Sequence, residues 1–223
     1  MAWIKKSAFV LFILFLVFGG YMAIAQQSYQ HMTFRQKILK TLYPFVMWMS
    51  RSSDNSRVLS HDPIASSASF YALPATSIDG AGLSLEQLCR GKMVLVVNTA
   101  SDCGYTGQYE ELQQLYDKYS GRLVILGVPS NDFKNQEKED NGTIESFCRR
   151  NYGVTFPLLE KARVRKGAGQ QGLFQWLTDP SRNGWNTQAP QWNFSKYLLD
   201  DQGRLTHYFG PSVSPSKIEP LLQ

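Results

Sequence analysis

Cysteine is scarce in this 223-residue chain, which has only Cys89, Cys103 and Cys148. An odd number that low argues against a disulfide scaffold. Histidine is equally thin: His31, His61 and His207 show no close pairing and give no metal-ligand spacing, so no metal is expected. Charged residues make up 18% of the chain, and the net charge of +5 is scattered apart from Lys5-Lys6 and a loose group at Arg163, Arg165 and Lys166. No basic run is interleaved with aromatics, so the electrostatic footprint of a nucleic-acid binder is missing and no such partner is expected. No internal repeat is visible. Apolar material is plentiful, 43% hydrophobic and 13% aromatic, which is ample for one globular core.

The apolar residues are unevenly placed. After Lys5-Lys6 the chain runs uncharged from Ser7 to Ala25, densest at AFVLFILFLVF. A basic start, an apolar core and the small-residue triplet Ala23-Ile24-Ala25 describe a secretory signal cleaved before Gln26. The same stretch is long enough to span a bilayer as a hydrophobic helix, with the lysines on the cytoplasmic side. Both readings stand, and either makes the protein membrane-anchored or exported rather than cytoplasmic. Residues 26–69 read as a juxtamembrane segment and linker. Within them TFRQKILKTLYPFVMWMS, Thr33 to Ser50, suits a helix lying on the membrane or one folded against the domain. Arg51 to Ser69 is rich in Ser, Asp, Asn and Pro and lacks periodicity, which describes a linker.

The domain is expected over residues 70–223. Its organising stretch is MVLVVNTASDCGYTGQYEELQQLYDKY, Met93 to Tyr119. Met93 to Val97 is an unbroken apolar run suited to a central parallel strand. Tyr109, Leu112, Leu115, Tyr116 and Tyr119 then recur at helical spacing. Cys103 falls in the intervening loop, just before a helix N-terminus whose dipole and free N–H groups favour the thiolate. Around this unit lie a hairpin at Asp79-Gly80, a second parallel strand at Leu123 to Val128 and a helix at Thr143 to Asn151. A strand at Phe156 to Leu159 and a helix at Gly172 to Leu177 follow. A hairpin from Ser195 to Phe209 and a last helix near Pro215 to Leu222 end the chain. Alternating β and α followed by an antiparallel hairpin and a helix describes an α/β thioredoxin-like fold, a central mixed sheet flanked by helices.

Three blocks, VNTASDCGYTGQY, NYGVTFPL and WNFSKYLLD, occur in an order that resembles the glutathione peroxidase family from about Phe70 to the end. The resemblance implies a thiol peroxidase that reduces hydrogen peroxide and organic or lipid hydroperoxides to water or alcohols. Cys103 matches the peroxidatic position, with sulfur where some relatives carry selenium. Gln136, Trp192 and Asn193 match the other members of the active-site tetrad, as neutral N–H donors that stabilise a thiolate and orient the peroxide. Cys148, in SFCRRNYGVTF, stands where thioredoxin-dependent members keep a resolving cysteine, which condenses with the sulfenic acid to a disulfide. Its bland alternative is a buried small hydrophobe. Cys89 lies outside every motif and reads as structural.

No cofactor is implied beyond thioredoxin or glutathione as reducing cosubstrate. The chain departs from the family around Gln136: PSNDFKNQEK lacks the family's extra Cys, a Gly at Lys134 and a Pro at Lys138, which leaves the aim of Gln136 open. The stretch between NYGVTFPL and Trp192 is short, lacking the insertion that tetrameric relatives use, so a monomer is expected. The alternative to an enzyme is a redox sensor or thiol-disulfide relay passing oxidation to a client. Retention of Gln136, Trp192 and Asn193 favours the enzyme. Asn141-Gly142-Thr143 and Asn193-Phe194-Ser195 match glycosylation sequons, the second of which would occlude the active site.

Overall fold

The computed structural model describes residues 32–50, 57–137 and 139–223. The uncharged Ser7–Ala25 stretch, expected as signal or hydrophobic helix, lies outside the described residues. Among those that are described, no helix is long and apolar enough to cross a membrane.

The chain runs α1 (Phe34–Met49), β1 (Val58–Ser60), β2 (Pro74–Thr76), β3 (Gly82–Ser84), α2 (Leu85–Cys89), β4 (Met93–Thr99), α3 (Gln108–Lys118) and β5 (Leu123–Pro129). It continues through α4 (Asn141–Tyr152), α5 (Gly172–Thr178), α6 (Pro180–Asn183), β6 (Lys196–Leu199) and β7 (Leu205–Phe209). Five strands form one mixed sheet in the order β1-β7-β6-β4-β5, and β2 pairs with β3 as a separate hairpin. β4 is parallel to β5, from Met93 opposite Leu123 to Thr99 opposite Pro129, and antiparallel to β6. This is the mixed thioredoxin-like sheet expected from the sequence.

β4 is covered on both faces, and its alternation shows how. Leu95 and Val97 join Tyr109, Leu112, Ile144, Phe147 and Cys148 in one core layer; Val94 and Val96 join Cys89, Phe174, Trp176 and Leu177 in the other. Removing each such aliphatic side chain from water contributes roughly 1.5–3 kcal/mol, which explains why the strand carries no polar residue until Asn98. α4 starts at Asp140, whose carboxylate accepts the Thr143 N–H at 2.8 Å, and stops at Gly153, left-handed at φ 63°.

Three expectations need correction. Phe156–Leu159 forms no strand: Leu158 bridges only Gly127 and Leu159 only Ser77. The reason is the close approach at Gly127, where a Cβ would collide with Leu158, so the segment binds the β5 edge through that residue alone, by the Gly127 N–H to Pro157 O (2.9 Å) and the Leu159 N–H to Gly127 O (2.8 Å). Pro215–Leu222 is two 3₁₀ turns, each with a proline in its first two positions, rather than one α-helix. Val58–Ser60, inside the segment expected to be linker, is the edge strand against β7.

The Thr33–Ser50 helix folds against the domain. Its N-terminus is a reciprocal capping box between Thr33 and Gln36. Lys40 pairs with Glu110 at 2.7 Å, Tyr43 donates to Glu111, and Gly107 has no room for a side chain because a Cβ would run into the Tyr43 ring.

Candidate active site

Cys103 lies in the loop joining β4 to α3, at the C-terminal end of a parallel strand, where open α/β sheets collect their functional groups. The loop is held on both sides. The Thr106 N–H donates to Cys103 O (3.1 Å), the Asp102 N–H donates to Gln136 O (3.0 Å), and Gln36 Nε2 of α1 donates to Asp102 Oδ1 (2.9 Å). Val46 of the same helix closes over Gly104.

Cys103 is 1% exposed. The Tyr105 N–H donates to it at 3.5 Å, and the Trp192 indole and Asn193 amide also act on it. Burial nevertheless pushes the thiol up to about 11; the Tyr105, Trp192 and Asn193 donors and the Arg35 guanidinium pull the other way without overcoming it. The expected thiolate preference is therefore not met in this closed arrangement. The loop does precede the α3 N-terminus, but desolvation outweighs the donors.

The structure brings Gln136, Trp192 and Asn193 together with Cys103. Asn193 Nδ2 donates to Gln136 Oε1 at 2.9 Å, so the two amides form one rigid pair, and the half-buried Trp192 packs on Phe133 with ring centroids 5.7 Å apart. The changed loop before Gln136 keeps a left-handed path without the family glycine: Lys134 has φ 51° and Asn135 φ 52°. A side chain in that region costs roughly 1–2 kcal/mol, a strain borne here by the lysine. Lys138, in the place of the family proline, lies outside the described residues.

Cys148 sits on α4, fully buried in the same core layer as Cys103, beside the Tyr109 hydroxyl; burial raises it to about 12. Cys89 is in the opposite layer and is likewise raised to about 12. All three cysteines are free. Asn193 is fully buried, which closes the second sequon in the folded chain.

Sequence reasoning missed two residues that build the site. Asn98, at the end of β4, clamps the Trp192 turn: its Nδ2 donates to Trp192 O (3.1 Å) and its Oδ1 accepts the Ser195 N–H (3.0 Å), while its own carbonyl accepts the N–H of Phe194, itself left-handed at φ 68°. The signal was a lone amide ending an all-apolar strand. Glu137 is fully buried behind the loop, where one carboxylate oxygen accepts from Ser101 Oγ (3.1 Å) and the other has no partner among the described residues. Burial lifts its carboxyl to about 8. A carboxylate directly after Gln136 could have flagged it. Among the described residues no cluster of metal-ligating side chains occurs.

The family model for glutathione peroxidase matches residues 70–178. A glutathione peroxidase homolog of Halalkalibacterium halodurans is 44% identical over 152 residues, covering 68% of this chain and 95% of that protein. A hydroperoxy fatty acid reductase of Synechocystis is 40% identical over 154 residues, 66% of this chain and 90% of that protein. The crystal structure of T. cruzi GPX1, 29% identical, superposes with a TM-score of 0.54 over 69% of this chain and 94% of its own.

Proposed function

We propose that this chain, which belongs to the glutathione peroxidase family and is a peroxidase, reduces hydrogen peroxide and organic or lipid hydroperoxides through Cys103. The sulfur attacks the outer peroxide oxygen, the O–O bond breaks, and the thiol proton ends on the departing oxygen: thiol plus hydroperoxide becomes sulfenic acid plus alcohol, or water when the substrate is hydrogen peroxide. The Trp192 indole, the Asn193 amide and the Tyr105 N–H stabilise the charge that develops on sulfur and oxygen, and Gln136 fixes the amide pair. The carrying observation is the convergence of these donors on one buried sulfur. The same donors favour a peroxidase over a relay to a client protein, because simple thiol-disulfide exchange needs only its two thiols.

Cys148 is the resolving residue in this reading. Its thiol condenses with the sulfenic acid, releasing water and forming a disulfide, and a thioredoxin-type dithiol or glutathione returns both sulfurs to thiols. In this reading the end of α4, capped at Gly153, unwinds to bring the Cys148 sulfur to Cys103. The chain acts as a monomer, exported or held to a membrane by its N-terminal stretch. Steady-state peroxide reduction by the full chain, with glutathione and a thioredoxin system side by side, tests activity and electron donor together. Turnover with neither would overturn the assignment to Cys103 chemistry.

A further inference from the structure

α1 has two faces of different character. The inner face, through Gln36, Lys40, Tyr43, Val46 and Met47, grips the Cys103 loop and the start of α3. The outer face leaves large apolar side chains in the open: Phe34 is 77% exposed, Ile38 37%, Leu42 47%, Phe45 55%, Trp48 64% and Met49 63%. With about 3.6 residues per turn, these six fall within about a third of the helix circumference. Arg35 and Lys37 flank that stripe, one on each side, and the helix carries no acidic residue. A continuous apolar stripe of this kind marks a surface that something covers.

The sequence before the helix says what covers it. The uncharged Ser7–Ala25 stretch ends eight residues short of Phe34, at Gln26–Thr33. Those eight residues reach at most about 28 Å even fully extended, so a chain whose apolar stretch enters a bilayer delivers α1 to the bilayer surface. We propose that α1 is an interfacial helix, its Phe34-to-Met49 stripe docked on a phospholipid surface with Arg35 and Lys37 meeting headgroup phosphates. An apolar face bearing Trp, Phe and Leu beside basic flanks is the composition such helices use. The Cys103 loop, on the inner side, then lies about one helix diameter, 10–12 Å, from the lipid. This rests on the peroxidase reading for its consequence, which is preference for lipid hydroperoxides formed in that surface, but not for the docking itself.

The test uses the full chain as Trp3→Phe, reconstituted into phosphatidylcholine–phosphatidylglycerol vesicles with and without brominated acyl chains. Trp48 emission, isolated by comparison with the Trp3→Phe/Trp48→Phe chain, should be largely quenched by brominated lipid. A second arm measures turnover of Phe45→Glu/Trp48→Glu, in which the anchor stretch is untouched. Its rate on phospholipid hydroperoxide in vesicles should fall about tenfold through loss of the second attachment, while its rate on hydrogen peroxide stays unchanged. Trp48 emission indifferent to brominated lipid overturns the docking, and a dimer in mild detergent would then give the stripe to a second copy. Equal loss on both substrates overturns the link to lipid hydroperoxides. No turnover of hydrogen peroxide by the parent chain would sink the peroxidase reading and leave the quenching result standing.

Discussion

Cys103 and Cys89 are buried on opposite faces of one sheet, and burial treats them alike, raising both thiols far above the ordinary cysteine range. They differ in what surrounds them. Cys89 ends a short helix among apolar neighbours, with only the Lys92 ammonium acting against its desolvation. Cys103 is met by the Tyr105 N–H, the Trp192 indole and the Asn193 amide, and its loop is tied to Gln136 and to α1. In the proposed reaction the set of preorganised donors, not a resting pKa, singles out Cys103, because donors act on charge that appears only during reaction.

The sharpest break of this comparison is to remove each sulfur in turn. Cys103→Ser should lower peroxide reduction on the order of a thousandfold or more, since a hydroxyl supplies no comparable nucleophile. Cys89→Ser should leave the rate within about twofold, with any cost appearing as stability. Next come the Trp192 donor and Gln136, which holds the Asn193 amide. Trp192→Phe and Gln136→Ala should each reduce kcat/KM by about tenfold to a thousandfold with the fold intact by circular dichroism; unchanged values in both would mean that the convergence on Cys103 is packing alone.

Cys148 tests a third environment, buried like Cys89 but in the layer of Cys103. Cys148→Ser should cut thioredoxin-supported turnover on the order of tenfold and spare the first, single-turnover oxidation of Cys103. Peptide mapping of wild type after one equivalent of peroxide should find the Cys103–Cys148 disulfide.

Glu137 extends the contrast from thiols to a carboxyl. Its folded pKa is raised from the ordinary 4.5 to about 8, so its contribution to stability is fully present below pH 4.5 and lost as pH rises through about 8. Glu137→Gln carries no such loss and keeps an acceptor for Ser101. Relative to wild type the variant should therefore gain on the order of 2–4 kcal/mol between pH 4.5 and pH 9 in urea titrations. A difference flat with pH would mean that the carboxyl is as well solvated folded as unfolded. The smallest effect concerns the loop that aims Gln136. Lys134→Gly, relieving a left-handed lysine, should stabilise by about 0.5–1 kcal/mol, a rise in Tm of about 1–4 °C.

The sequence made the centre of this molecule plain and its margins obscure. β4 and Cys103 were readable because an unbroken apolar run must be covered on both faces and the helical spacing after Tyr109 leaves only a short loop between them. Gln136, Trp192 and Asn193 are far apart in the chain and were reached only through resemblance to a family; nothing local to them requires that they meet. The Phe156–Leu159 error came from an apolar run whose partner, Gly127, has no side chain to separate the two backbones. α1 was legible as amphipathic, but its grip on the Cys103 loop depends on the missing Cβ of Gly107, which pattern alone does not reveal. Val58–Ser60 carried no alternation long enough to identify a strand.

That short strand governs how the molecule behaves in company. β1 covers the outer side of β7, with the Gly210 N–H donating to Arg57 O at 2.7 Å and the His61 N–H to Thr206 O at 3.0 Å, while the opposite side of the sheet is shielded at β5 by Pro157–Leu159. A chain shortened to begin at Phe70 would uncover the β7 ladder, and a bare ladder is a template for strands of other molecules. Such a truncated protein would self-associate for reasons unrelated to its chemistry, so Val58–Ser60 functions as the fold's own guard against polymerisation.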